Sequence, residues 1–379
     1  MFGRKIAVIA ASLMLTLSMS AVAFANQEAP TTTATNPVNG SSIVIEKNLK
    51  VSNPNLASVD GPGLTMNYAI APVAPAAGNG GTTITDAQNH TGTVHQGPAD
   101  GVTLSASSIS WPIGTAVNAS SAGADNVKSI TADVDLTKFT VPGIYRYQLT
   151  ETVGTDTSVT GAQGETRYID VYIENDTTGL KVAGVVMHDG ATADGKPSQK
   201  ATFSPEEFET VNITLQKTVS GNMADKNNQF PFAGTVTDNG RYFYADKGAA
   251  PTAIDAKKIA GAAAGSAVST TLAHNEMYYI SGVSHEAAVT YTETNNTQDV
   301  YQTSITGGTA SEASAVAAGA TKAMASTDVD NAGAVVFNNA LESVSPTGVI
   351  MRFGPYIGMV LAALVFALIF RRTRQSNNA

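Results

Sequence analysis

The chain has 379 residues, a formal charge of −9, no cysteine and only 14% charged side chains, enough length for two ordinary domains. The acid excess argues against nucleic acid as a partner, and the lack of cysteine excludes disulfides and thiolate metal sites. Arg4, Lys5, Arg352, Arg371, Arg372 and Arg374 sit in the two ends, so the body between them is more acidic than the total suggests.

Residues 1–25 carry Arg4-Lys5, an apolar run from Ile6 to Leu17 and small residues closing on Ala23-Phe24-Ala25. That is the pattern of a secretory signal peptide cleaved before Asn26. Residues 26–40, rich in Ala, Thr and Pro, read as a flexible leader. From Ser41 onward, short alternating runs of Val, Ile, Thr, Tyr and Phe are broken by Gly, Asn, Asp and Pro, as in "IVIEKNL", "GIYRYQLTET", "RYIDVYIEN" and "KVAGVVMHDG". These predict strands. Residues 76–101 and 306–333, dominated by Gly, Ala, Ser and Thr, are expected to be surface loops. No segment reads as a long amphipathic helix. The expected fold is all-β, with two immunoglobulin-like β-sandwich domains in series over residues 41–210 and 211–341. Residues 342–379 hold Pro346-Thr347-Gly348, an apolar stretch dense from Tyr356 to Phe370 and an arginine tail. Counted from Val349 the stretch is long enough for a transmembrane helix, with its basic end in the cytoplasm.

Two lysines break the apolar pattern. In "ITLQKTVSG", Ile213, Leu215, Lys217 and Val219 share one strand face; in "IVIEKNL", Ile43, Ile45, Lys47 and Leu49 do the same. Later in each half a glutamate falls in phase with apolar residues: Tyr145, Tyr147, Leu149 and Glu151 in one, Val289, Tyr291 and Glu293 in the other. A further run places Val335, Phe337 and Asn339 on one face. A single in-phase lysine is ordinarily a snorkelling or edge residue, but the same order of residue types recurs in both halves. Burial disfavours charge, so a core lysine tends to lose its proton and a core glutamate to gain one. A neutral amine held against a carboxamide can attack it, release ammonia and leave an isopeptide bond, with the carboxyl shuttling the proton.

His90, His95, His188, His274 and His285 are scattered, with no metal-ligand spacing and no nucleophile motif beside them. No metal, cofactor or turnover enzyme activity is expected, and the lone Trp111 is read as packing.

The motifs "IVIEKNL", "VPGIYRYQLTET", "ITLQKTVSG", "VVFNN" and "SPTGVIMRFGPYIGMV", in that order, resemble the backbone pilins of Gram-positive bacteria, of the streptococcal pilin isopeptide-linkage type. The resemblance implies that Lys217 and Asn339 are the bonded pair of the second domain with Glu293 as catalytic acid, and that Lys47 and Glu151 are their first-domain counterparts. The first domain departs from the pattern: the chain reads Phe203-Ser204-Pro205 where the family closes on Phe-x-Asn. Asn175 is one substitute acceptor; the alternative is a buried Lys47–Glu151 ion pair.

By the same resemblance, Pro346, Thr347 and Gly348 form a sortase signal, cut between Thr347 and Gly348, and the terminal helix is a temporary anchor. Transfer to an amine of another copy or of another pilin gives a pilus shaft, with Lys196 and Lys200 as candidate intersubunit acceptors. Transfer to peptidoglycan gives a wall-anchored adhesin or spacer protein. Both readings put the chain at the cell surface, with sortase and host surface ligands as further partners.

Overall fold

The structure is a computed structural model that describes residues 41–85, 88–154, 157–159, 161–191, 197–199, 202–254, 258–260, 264–294, 301–307, 321–326, 334–343 and 356–368. The signal peptide, the leader, Lys196, Lys200 and the Pro346-Thr347-Gly348 motif lie outside the described residues.

The fold is all-β and holds two hydrophobic cores. One draws on residues from Ile43 to Phe208 together with Ile254, the other on residues from Val211 to Phe337. Strict alternation explains the first strand, Ser42–Ser52, in which Ile43, Ile45, Lys47, Leu49 and Val51 are all buried. It pairs antiparallel with Ala124–Val134, and the facing sheet is built around Leu64–Pro72, Gly143–Val153, Thr166–Asp176 and Gly179–Ala191.

One long strand, Glu206–Ser220, belongs to both halves. Its start, Glu206 to Glu209, runs parallel to Leu49–Ser52. From Thr210 it pairs antiparallel with Met277–Ser284, and from Thr214 it pairs parallel with the last strand, Ala334–Ala340. A single nine-stranded sheet therefore passes through both halves. Across the second core from it lies a four-stranded sheet of Ser266–Leu272, Phe230–Thr237, Ala288–Thr294 and Thr321–Ser326, paired in that order.

The junction is locked by polar groups. Arg241, fully buried, donates to the Asp60 and Gly61 carbonyls at 2.6 and 3.2 Å, pairs with Asp238 at 2.8 Å and lies over the Phe208 ring. Asp60 in turn accepts from the Tyr242 backbone N–H at 2.9 Å. Gly282, at φ +78, has no room for a side chain, since a Cβ would meet Ile254 and Leu56 from the first core.

Two expectations of loop structure are corrected. Residues 76–101 contain a hairpin of Thr83–Thr85 and Thr91–Gln96, and the second of these pairs parallel with Ile144 to Arg146. Residues 306–333 contain Thr321–Ser326, which pairs with Val289 to Thr294. The threonine-rich runs Thr83–Thr85 and Thr91–Gln96 pair with Val94 as their one buried side chain, so alternation of hydrophobicity does not reveal them. The apolar segment forms a helix over residues 356–368, and no helix among the described residues is long and apolar enough to cross a membrane.

Candidate functional site

Lys217 lies in the shared strand, where the neighbouring residues on its face, Leu215 and Val219, are core residues. The last strand brings Phe337 opposite Lys217 and Asn339 opposite Val219. Because these strands are parallel and in register, Asn339 sits on the same face as Lys217, one pleat further along. Glu293 comes from the four-stranded sheet across the core, opposite Phe232. All three side chains meet in the interior, with Lys217 and Asn339 0% exposed and Glu293 1%.

Glu293 bridges the other two. The Lys217 ammonium lies 3.0 Å from both carboxyl oxygens, and Asn339 Nδ2 donates to Oε1 at 2.5 Å. On the far side of the carboxamide, the Thr303 hydroxyl donates to Asn339 Oδ1 at 2.7 Å. Lys217 Nζ also lies 4.4 Å from the centre of the Phe230 ring, and Phe232 and Phe337 pack edge to face beside it. Burial pushes the Lys217 amine down to about 8, against the opposing pull of Glu293. Burial likewise raises the Glu293 carboxyl, opposed by Lys217 and by the Asn339 hydrogen bond. Both shifts favour the neutral pair that nucleophilic attack needs.

The first domain carries a related cluster. Lys47 Nζ contacts Glu151 Oε2 at 3.1 Å, Glu206 Oε1 at 2.9 Å and the Ser204 carbonyl at 2.8 Å. Glu151 again comes from the facing sheet, and its other oxygen accepts from the Tyr68 hydroxyl at 2.7 Å. Burial raises the Glu151 carboxyl, opposed by Tyr68 and Lys47. Asn175 is exposed near the end of the strand Thr166–Asp176, where it pairs with Leu180, and it takes no part.

Sequence reasoning missed Glu206 and Thr303. Glu206 escaped because the segment before it slips: Glu46 bridges Thr202 while Leu49 pairs with Glu206, so one extra residue intervenes. Thr303 could have been found, since Tyr301, Thr303 and Ile305 alternate into the core. Two buried features lie apart from both clusters. Arg146 forms a two-pronged pair with Asp170 at 2.7 Å, with His188 3.3 Å from the same carboxylate. Trp111 is packed in the first core, and no group of His, Cys, Asp and Glu suited to a metal ion occurs among the described residues.

A family model described as a domain of unknown function (DUF7601) matches residues 211–339, a span that begins in the lysine-bearing strand and ends on Asn339. No curated protein matches the chain. Among solved structures the chain is similar to a pilus-presented adhesin (15% identity, TM-score 0.25, covering 48% of this chain and 37% of that one). It is also similar to the major pilin T3.2 of Streptococcus pyogenes (17% identity, TM-score 0.43, covering 80% and 98%). A further major pilin structure from Streptococcus pyogenes is similar over 80% of this chain and 100% of its own, at 18% identity and a TM-score of 0.46.

Proposed function

We propose that this chain is a structural cell-surface protein, a pilus shaft subunit whose second domain seals itself with a Lys217–Asn339 isopeptide bond. The observation that carries this reading is the sealed trio of amine, carboxyl and carboxamide, with Glu293 hydrogen-bonded to both nitrogens that must exchange a proton. In the neutral pair, Lys217 Nζ attacks Asn339 Cγ while Thr303 stabilises the developing charge on Oδ1. Glu293 accepts the proton that Nζ sheds and delivers one to Nδ2. The Cγ–Nδ2 bond breaks and ammonia leaves. No group is consumed except the two that are joined, so the chain acts once on itself and is not a turnover enzyme.

The remaining parts of the reading rest on the sequence. The export signal, the Pro346-Thr347-Gly348 motif and the basic tail support processing by sortase, which would pass the Thr347 carboxyl to another copy or to peptidoglycan. Lys196 and Lys200 are the proposed lysine acceptors in the copy-to-copy case. A high-mass ladder resistant to boiling in detergent separates the polymer from a singly anchored adhesin.

The bond is tested by the intact mass of the purified full-length chain beside Glu293→Ala. The wild type is expected to be lighter than its sequence by at least one ammonia, with Lys217 and Asn339 in one cross-linked peptide, and the variant to regain that ammonia. A wild type with Lys217 and Asn339 in separate, unmodified peptides rules the bond out.

A further inference from the structure

We infer that the first domain has its own acyl acceptor, the side-chain carboxyl of Glu206, and that Lys47 condenses with it to an amide. The inference extends the self-crosslinking proposed for Lys217. In the second domain, Asn339 stands opposite Val219, two residues beyond the lysine on a parallel neighbour. In the first, Glu206 stands opposite Leu49, again two residues beyond the lysine on a parallel neighbour. Glu206 therefore occupies the register position of the second-domain acceptor. Glu151, like Glu293, reaches the amine from the facing sheet.

The cluster is assembled for contact between the two groups. Lys47 Nζ lies 2.9 Å from Glu206 Oε1, with the lysine side chain 0% and the glutamate side chain 11% exposed. The segment that delivers Glu206 is pinned: Ser204 donates through its backbone N–H and its hydroxyl to Glu165, at 2.8 and 2.7 Å, and Glu165 is held by Arg167 at 2.8 Å. One amine faces two carboxyls, so the cluster holds one acid more than the amine can pair.

The step balances without any co-reactant. Nζ, as the free amine, attacks Cδ of the Glu206 side chain in its carboxylic acid form, the Nζ–Cδ bond forms and the Cδ–OH bond breaks. A proton from Nζ passes through Glu151 to the departing hydroxyl, which leaves as water at the partly exposed edge of the cluster. The product replaces a buried charged pair with a neutral amide, which removes the desolvation cost of both ions.

Intact mass and cross-linked peptide mapping of the full-length chain test this. The expected result is a deficit of one water in addition to the ammonia of the second domain, with Lys47 and Glu206 in one linked peptide. Glu206→Ala is expected to abolish the water loss and keep the ammonia loss. Glu206→Gln is expected to lose a second ammonia instead of water, giving the same molecule as the cross-linked wild type. A wild-type chain with Lys47 and Glu206 in separate, unmodified peptides overturns the inference, whatever the second domain does. A water deficit without the ammonia deficit supports it while refuting the Lys217–Asn339 reading.

Discussion

Replacing Lys217 with methionine isolates the contribution of the proposed second-domain bond. The substitution keeps an unbranched chain of similar volume among Phe230, Phe232 and Phe337, and it removes the proposed nucleophile. The Glu293 carboxyl left behind is already raised by burial, and loss of the opposing pull of Lys217 raises it further, which favours its neutral form. The deficit is then chiefly the lost cross-link. Lys217 and Asn339 bracket a loop of about 120 residues, whose closure contributes roughly 5 kcal/mol in the chain-entropy treatment. For a domain of this size that corresponds to a fall of roughly 15–20 °C in the second-domain melting temperature. Calorimetry of wild type and Lys217→Met, each checked by intact mass, measures it. If a wild type confirmed as cross-linked melts within about 1–2 °C of the variant, far inside the expected shift, closure of the loop is not what stabilises the domain and the chain-entropy explanation is refuted.

Asn339→Ala should keep the amine and lose the bond, so it exposes the titration of Lys217. The folded amine is pushed down to about 8 by burial, below its unfolded value, so stability from this group is present above about pH 10.5 and lost as pH falls through 8. Denaturant melts of Asn339→Ala should gain up to about 3 kcal/mol between pH 8 and 10.5, while Lys217→Met shows no such gain. Thr303→Val removes the donor to the Asn339 carbonyl without changing side-chain shape. It should slow ammonia loss by about 10²-fold, followed by mass in freshly synthesised chain, and leave the final mass unchanged.

The strands that carry the proposed chemistry were legible because they obey the two-residue period: Lys47, Glu151, Lys217, Glu293 and Asn339 each sit where their apolar neighbours point, and all five are buried. What the period could not convey was register between strands. The slip between Thr202 and Glu206 moves the acceptor position by one residue, so Pro205 stands where the sequence pattern looks and Glu206 where the sheet delivers a side chain. Strands such as Thr91–Gln96 were hidden for a different reason. Their pairing rests on backbone hydrogen bonds, with Val94 as the one buried side chain in the run.

The topology gives the two lysine clusters a common mechanical meaning. The first strand, the shared strand and the last strand are successive parallel neighbours, so tension applied at the two ends of the chain loads each pair in shear. A Lys217–Asn339 bond joins the last strand to the shared strand one residue before Ala340, the end of the pairing. A Lys47–Glu206 bond joins the first strand to the very start of the shared strand. Tension would then run along the first strand to Lys47, across to Glu206, along the shared strand to Lys217 and out through Asn339, bypassing both cores. Lys47 and Glu206 are 159 positions apart, so opening the first domain without its bond would release roughly 50 nm of extended chain. Single-molecule pulling on the full-length chain should show no such step for wild type and one for Glu206→Ala. A wild-type chain that extends by that length under load carries no covalent bypass in its first domain, and its Lys47 cluster is then an ion-paired core.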